Sequence, residues 1–364
     1  MRHFQIALEI ATIRLKFGVH PGNPGFIKVR ATIDNAIGDW ALAPDDPNIR
    51  RQFLRRLLYR WSWAAKSRHR RRFRDISPDV VTNISDMLIS EIVRPGDEID
   101  LYEHLTGRLT DDRYSVVPWI DDAYPLDGAS VLEIGSGTGA STVALGEQGA
   151  LITGVDVDAV ALKVARARCQ AYNIKVDFHC INGAEIRRAF CNKTFDIVVF
   201  FAVLEHMTLD ERLEAIKSTW EATRPGGIWC VVETPNRLWF HDGHTSFDNF
   251  YHWLPDDLAK AWGTRSRRKF FASALSTPGG ISTIEFARWG RGVSFHEFDL
   301  ALGDSRKLNV ISNKHDFLRR SSPALSLHSF ASRARRFERF LEALEPEINP
   351  GFFRQYLDLA IRKS

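Results

Sequence analysis

The stretch Ser130–Val157, SVLEIGSGTGASTVALGEQGALITGVDV, decides the fold. Val131, Leu132 and Ile134 make a short apolar run of the kind buried in a parallel sheet. Gly135, Gly137 and Gly139 follow at every second position, and a turn built from glycine lets a ligand lie directly against the backbone. Ala140–Glu147 reads as a helix whose N-terminal amides face that ligand. A second strand, Leu151–Val155, ends in Asp156, at the spacing where a carboxylate meets a ribose. Together these pieces make a nucleotide-type site.

The type of nucleotide turns on the residues around the glycines. The dinucleotide fingerprint G-x-G-x-x-G has its third glycine where this chain has Ala140, a permitted variant, so the glycines alone leave an oxidoreductase open. Glu133, two residues before Gly135, is the stronger sign: a carboxylate there repels a pyrophosphate and favours a cationic ligand. LEIGSGTG, with GVDVD after it, resembles the first two motifs of class I S-adenosylmethionine-dependent methyltransferases. FDIVVFFAVLEHM at Phe195–Met207, RPGG at Arg224–Gly227 and WCVVETPN at Trp229–Asn236 agree with that family in order and spacing.

The resemblance implies an α/β fold, a Rossmann-like seven-stranded sheet with mainly helical N- and C-terminal additions, and S-adenosyl-L-methionine as cofactor. It implies cofactor contacts at Glu133, Gly135, Ser136, Gly137, Gly139, Asp156, Val157, Asn182, Gly183 and Phe201. Glu133 would orient the amino acid end of the cofactor or act through the loop. Asp156 would take both ribose hydroxyls, its alternative being a helix N-cap. The family often ends its third strand with an acid that receives the adenine amino group. Here CINGAEI places Asn182 and Gly183 there, leaving the contact to the Asn182 amide or to a backbone carbonyl.

Composition sets the outer bounds. A chain of 364 residues, 44% hydrophobic and 26% charged, suits a soluble core domain with additions. The apolar run Ile197–Leu204 is far too short to span a bilayer, and the charged N-terminus does not read as a signal peptide. Cys169, Cys180, Cys191 and Cys230 show neither close pairing nor metal-ligand spacing, as reduced thiols in the cytoplasm would. The net charge of +4 is uneven: Arg50–Asp75 holds eleven Arg or Lys against one Asp, and the rest of the chain is net acidic. Within Arg50–Arg74, Phe53, Leu54, Leu57, Leu58 and Trp61 recur at helical spacing with arginines opposite. That pattern fits a helix docked on the core with a solvated basic face. It also fits one meeting anionic lipid at the membrane periphery, a phosphorylated substrate or nucleic acid, the last disfavoured by the acidic core.

Further boundaries follow from where the alternation of strands and helices stops. Residues 1–112 read as a mainly helical extension and 113–312 as the methyltransferase domain. Residues 313–364 read as a helical C-terminal extension. Ala159–Tyr172 and Leu209–Thr223 read as helices, with Lys175–Ile181, Phe195–Phe201 and Ile228–Thr234 as strands. Val293–Leu300 and Lys307–Ser312 read as the closing antiparallel strand pair, and Ser326–Leu344 and Phe352–Ile361 as terminal helices. A substrate-side insertion at about 237–290 is rich in His and aromatic residues.

Acceptor chemistry falls on Glu205 and His206, after the fourth strand, and on His241 and His244, after the fifth. All four sit on the sheet edge where such folds bind ligands. A neutral imidazole suits removal of a hydroxyl proton, while purely structural roles remain open for each residue. LEH with a later His resembles part of the E-x-x-E-H metal set of small-RNA 2′-O-methyltransferases and a stretch of the ubiquinone-pathway O-methyltransferases. Ala202 stands where that pattern has its first Glu, so no metal is expected. The reading that results is O-methylation of a small-molecule, glycan or lipid-linked acceptor. Its alternatives are an RNA-modifying or nucleic-acid-binding factor and a non-catalytic adenosylmethionine binder.

Overall fold

Seven strands form one mixed sheet in the order β3-β2-β1-β4-β5-β7-β6. They are β1 (Ser130–Ile134), β2 (Leu151–Asp156), β3 (Val176–Cys180), β4 (Phe195–Phe201), β5 (Thr223–Pro235), β6 (Asn309–Asn313) and β7 (Tyr356–Arg362). The computed structural model describes residues 78–94, 97–191, 193–321 and 333–364. The Arg50–Arg74 segment, with its lipid and nucleic-acid readings, lies outside the described residues.

Strands β1 to β5 pair in parallel, whereas β7 runs antiparallel to both β5 and β6. Parallel strands need both faces covered, and the central ones are buried on each face: Leu132, Val198 and Trp229 on one side, Val131, Val199 and Cys230 on the other. Helices Leu209–Ala222 and Phe295–Leu302 cover the first face. There Trp229 packs edge-on against Phe298, and its indole donates to Thr219 Oγ1 at 2.9 Å. A helical run over 98–123 carries in its last helix Trp119, fully buried, whose indole donates to Ser312 Oγ on β6. Five-residue π-turns at Glu103–Gly107 and Asp112–Val116 interrupt that run, a deviation frequent beside functional sites.

The sequence reading is corrected at the C-terminal end. Val293–Leu300 is not a strand: Ser294 and Glu297 form a capping box that starts the helix Phe295–Leu302. Phe352–Ile361 is not a helix but a 3-10 turn followed by β7. Because β7 lies between β5 and β6, the 313–364 boundary for a separate helical extension does not hold. The RPGG element stands inside β5, as a bulge between the Thr223↔Phe195 and Ile228↔Ile197 pairs. The 237–290 insertion has its own small core of Tyr251, Ala259, Phe271, Leu275 and Phe286.

Candidate active site

Strand order reverses at β1, between β2 and β4, and crevices at such switch points hold ligands beyond the strands' carboxyl ends. A cavity of about 1170 Å³ opens there. It is lined by the glycine turn after β1, the end of β2, the segment after β4, and residues contributed by the 237–290 insertion.

The glycine side is tightly bonded. Glu133 is fully buried, and its carboxylate accepts from Ser141 Oγ at 2.5 Å, Thr142 Oγ1 at 2.6 Å and Ser136 Oγ at 3.2 Å. Burial raises its pKa against the opposing pull of those hydroxyls. Glu133 does not line the cavity, so the geometry places it behind the loop, tying turn to helix. Asp156 does line it. Its two oxygens accept the amides of Gly137 at 2.8 Å and Asp158 at 2.9 Å. The N-cap of the following helix is Asp158, which excludes that role for Asp156.

Gly137 has φ +48°, and a Cβ built there meets no atom within 4 Å. The backbone is therefore open to the cavity, as a ligand lying on it requires. Gly135, Ser136, Val157, Gly183 and Phe201 also line the cavity, whereas Gly139 does not. Asn182 is a correction. Its Oδ1 accepts the Ala184 amide and its Nδ2 donates to Glu211, so its side chain caps a turn rather than facing a ligand. Ile181, Gly183 and Met207 provide the lining there. The set fits a nucleoside with a cationic tail: an open glycine turn, a carboxylate at the end of β2, and apolar walls.

The opposite side gathers His206 and His244, whose ring centroids lie 5.0 Å apart and which both line the cavity. His206 Nδ1 lies 2.8 Å from the Arg288 carbonyl. A carbonyl only accepts, so Nδ1 carries a proton; Nε2 stands 4.0 Å from Glu205 Oε1. Glu205 is fully buried. Its Oε2 accepts from Thr234 at 3.2 Å, while Oε1 has no hydrogen-bond partner, and burial raises its pKa. Burial first, and the neighbouring His206 second, lower the His244 pKa to about 4. His244 Nδ1 is enclosed and unpartnered, which leaves Nε2 as the ring nitrogen toward the cavity.

Among the described residues, Glu205, His206 and His244 each offer one ligand atom within 4.8 Å of the others. Two imidazoles and one carboxylate suit a transition metal better than Mg²⁺, which prefers several oxygens. His241 is the second correction: it pairs with Asn249 at 3.0 Å, outside the cavity.

Several supports were not among the candidates read from the sequence. Asp242 is buried and accepts the amides of His244, Thr245 and Ser246, fixing the turn that carries His244. Gly290, at φ +88°, backs the pair so closely that a Cβ there would stand 2.6 Å from the His244 ring. Lys314 lies in the lining, 3.0 Å from both Glu233 and Asp358, and those two charges raise its pKa despite burial. Of these, only the Asp-Gly-His run around Asp242 was visible as a turn signal.

A family match falls on the part of the chain that carries the glycine turn. Residues 131–227 match the methyltransferase domain family. Over 119 residues the chain is 31% identical to the ubiquinone biosynthesis O-methyltransferase of Thiobacillus denitrificans, covering 33% of this chain and 50% of that protein. The enzyme of the same name from Rhizobium leguminosarum bv. trifolii is 32% identical over 136 residues, 36% of this chain and 52% of that one. This chain thus spans about half the length of the curated relatives it matches. Among solved structures, magnesium protoporphyrin IX methyltransferase from Synechocystis, with bound S-adenosylmethionine, is 21% identical. The match covers 45% of this chain and 80% of that one, at a TM-score of 0.32.

Proposed function

We propose that this chain, whose residues 131–227 are a class I S-adenosylmethionine-dependent methyltransferase domain, methylates an oxygen of a small-molecule, glycan or lipid-linked acceptor. The observation that carries this reading is that the glycine turn and the His206–His244 pair line one cavity, at the switch point of the sheet. The curated relatives are named as O-methyltransferases, which favours oxygen as the accepting atom.

The cofactor supplies an activated methyl group for in-line displacement, and the chain supplies position and a route for the proton. Glu133 holds the turn through three hydroxyls, and Asp156 fixes the Gly137 amide while facing the ribose position. Holding both reactants in line in a water-poor site accounts for much of the rate in such displacements. His244 is neutral at pH 7 and accepts the acceptor's hydroxyl proton at Nε2. His206 and Gly290 keep its ring in place.

A second reading concerns the same three side chains. Glu205 Oε1 and His244 Nδ1 are buried without partners, and Glu205, His206 and His244 each offer a ligand atom within 4.8 Å of the others, an arrangement that also suits a divalent transition metal. There Glu205, His206 and His244 would hold the ion, which would lower the pKa of an acceptor hydroxyl.

Incubating the chain with methyl-labelled cofactor and a lysate of its source cells, followed by mass spectrometry of labelled products, tests the function. A labelled ether or ester supports O-methylation, and label on nitrogen or carbon overturns it. Activity that survives EDTA supports the histidine base. Loss on chelation, restored by Mn²⁺ or Zn²⁺, supports the metal.

A further inference from the structure

We propose that Arg94 and Arg268 form an oxyanion site at the cavity wall, so that the acceptor carries a carboxylate or phosphate near the hydroxyl that is methylated. This inference rests on the methyl-transfer reading above and adds to it the charge class of the substrate.

Both arginines line the cavity. The Arg94 guanidinium lies over Phe270, its Cζ 4.0 Å from the ring centroid. The Arg268 Cζ stands 5.8 Å from the Phe247 centroid and 5.7 Å from that of Trp289. A guanidinium laid over an aromatic face keeps its N–H edge free to bind a planar or tetrahedral oxyanion. Arg268 Nη1 donates to the His244 carbonyl at 2.6 Å, which fixes this cation beside the proposed base.

Several other arginines of the chain sit in ion pairs. Arg113 pairs with Glu147 at 2.6 Å, Arg212 with Glu297 at 2.8 Å, and Arg354 with Glu338 at 3.0 Å. Among the described residues, neither Arg94 nor Arg268 has a carboxylate within salt-bridge distance. They are near enough that Arg94 disfavours the charge on Arg268, whose pKa is lowered by burial first and by Arg94 second. Two like charges on one wall repel, and an anion between them converts that repulsion into paired, charge-assisted hydrogen bonds. Bound there, an acceptor would present its neighbouring hydroxyl to His244 Nε2.

The test uses the full chain, methyl-labelled cofactor and source-cell lysate, with labelled products passed over an anion exchanger at neutral pH. The expected product is retained. Loss of retention after alkaline phosphatase identifies phosphate, and unchanged retention identifies carboxylate. Arg268→Gln and Arg94→Gln should each lower labelling at limiting lysate by about tenfold or more, Arg268→Lys by less. S-adenosylhomocysteine affinity should stay within about twofold in all three, which shows that they fold and load. A labelled product that passes the exchanger unretained, or undiminished labelling by both Gln variants, overturns the anion site while the methyltransferase reading stands. Failure of the unaltered chain to bind S-adenosylhomocysteine overturns both.

Discussion

The two sides of the cavity are built differently. On the glycine side, Glu133 meets three hydroxyl donors and Asp156 meets two backbone amides, so the carboxylates there are satisfied. On the histidine side, Glu205 Oε1 and His244 Nδ1 are enclosed without partners, and His206 Nε2 stands 4.0 Å from that carboxylate oxygen. Buried polar atoms are nearly always paired, so each exception calls for an explanation. The difference teaches a division of labour: a rigid cradle on one side and reactive groups held out of balance on the other.

The largest expected effect breaks the reactive side alone. His244→Ala should lower turnover by roughly a hundredfold or more while S-adenosylhomocysteine affinity stays nearly constant in calorimetry. Equal losses of both would erase the distinction between the two sides.

Next comes the cradle. Glu133→Ala strands three hydroxyls and should lower unfolding stability by about 1–3 kcal/mol, read from denaturant curves, with cofactor affinity falling in parallel. Asp156→Ala, which does face the cavity, should weaken S-adenosylhomocysteine binding by about tenfold without changing which product forms.

A pH profile sharpens the comparison further. The folded state holds the His244 pKa near 4, against an ordinary value of 6.5. Turnover carried by neutral His244 should therefore hold steady from pH 8 down to about 5 and fall only near its lowered pKa. Between 6.5 and 4 the unfolded chain binds this proton and the folded chain does not, so this residue's contribution to stability is lost as pH falls through that window. A rate that halves near pH 6.5 would assign the base to a histidine with an ordinary pKa. The smallest effect belongs to His241→Ala, which removes a contact with Asn249 outside the cavity and should change turnover by less than about twofold.

Legibility in the sequence followed the range over which each feature is encoded. The β1-turn-β2 unit lies within 28 consecutive residues, and its glycine spacing, buried acid and terminal Asp could be read directly. β7 was misread because Phe352, Phe353, Tyr356, Leu357 and Ala360 fit a helical period, while a strand flanked by β5 and β6 buries both faces and shows no alternation. The Ser294-x-x-Glu297 capping box was present in the sequence and outweighed by the apparent alternation of Val293 and Phe295. Asn182 was likewise assigned to a ligand, although Asn-x-x-Glu185 is a helix-start signal. Of the histidines, sequence placed all on one edge. Only the turn held by Asp242 separates His244, inside the cavity, from His241, outside it. Arg94 and Arg268 are 174 positions apart, and no periodicity links them.

The central claim, a nucleoside site with a cationic ligand on the glycine side, is tested most directly by calorimetric titration of the chain with S-adenosylhomocysteine, S-adenosylmethionine and NAD. The account predicts single-site binding of both adenosyl ligands, about tenfold weaker in Asp156→Ala, and no heat from NAD. Binding of NAD with no response to either adenosyl ligand would contradict it.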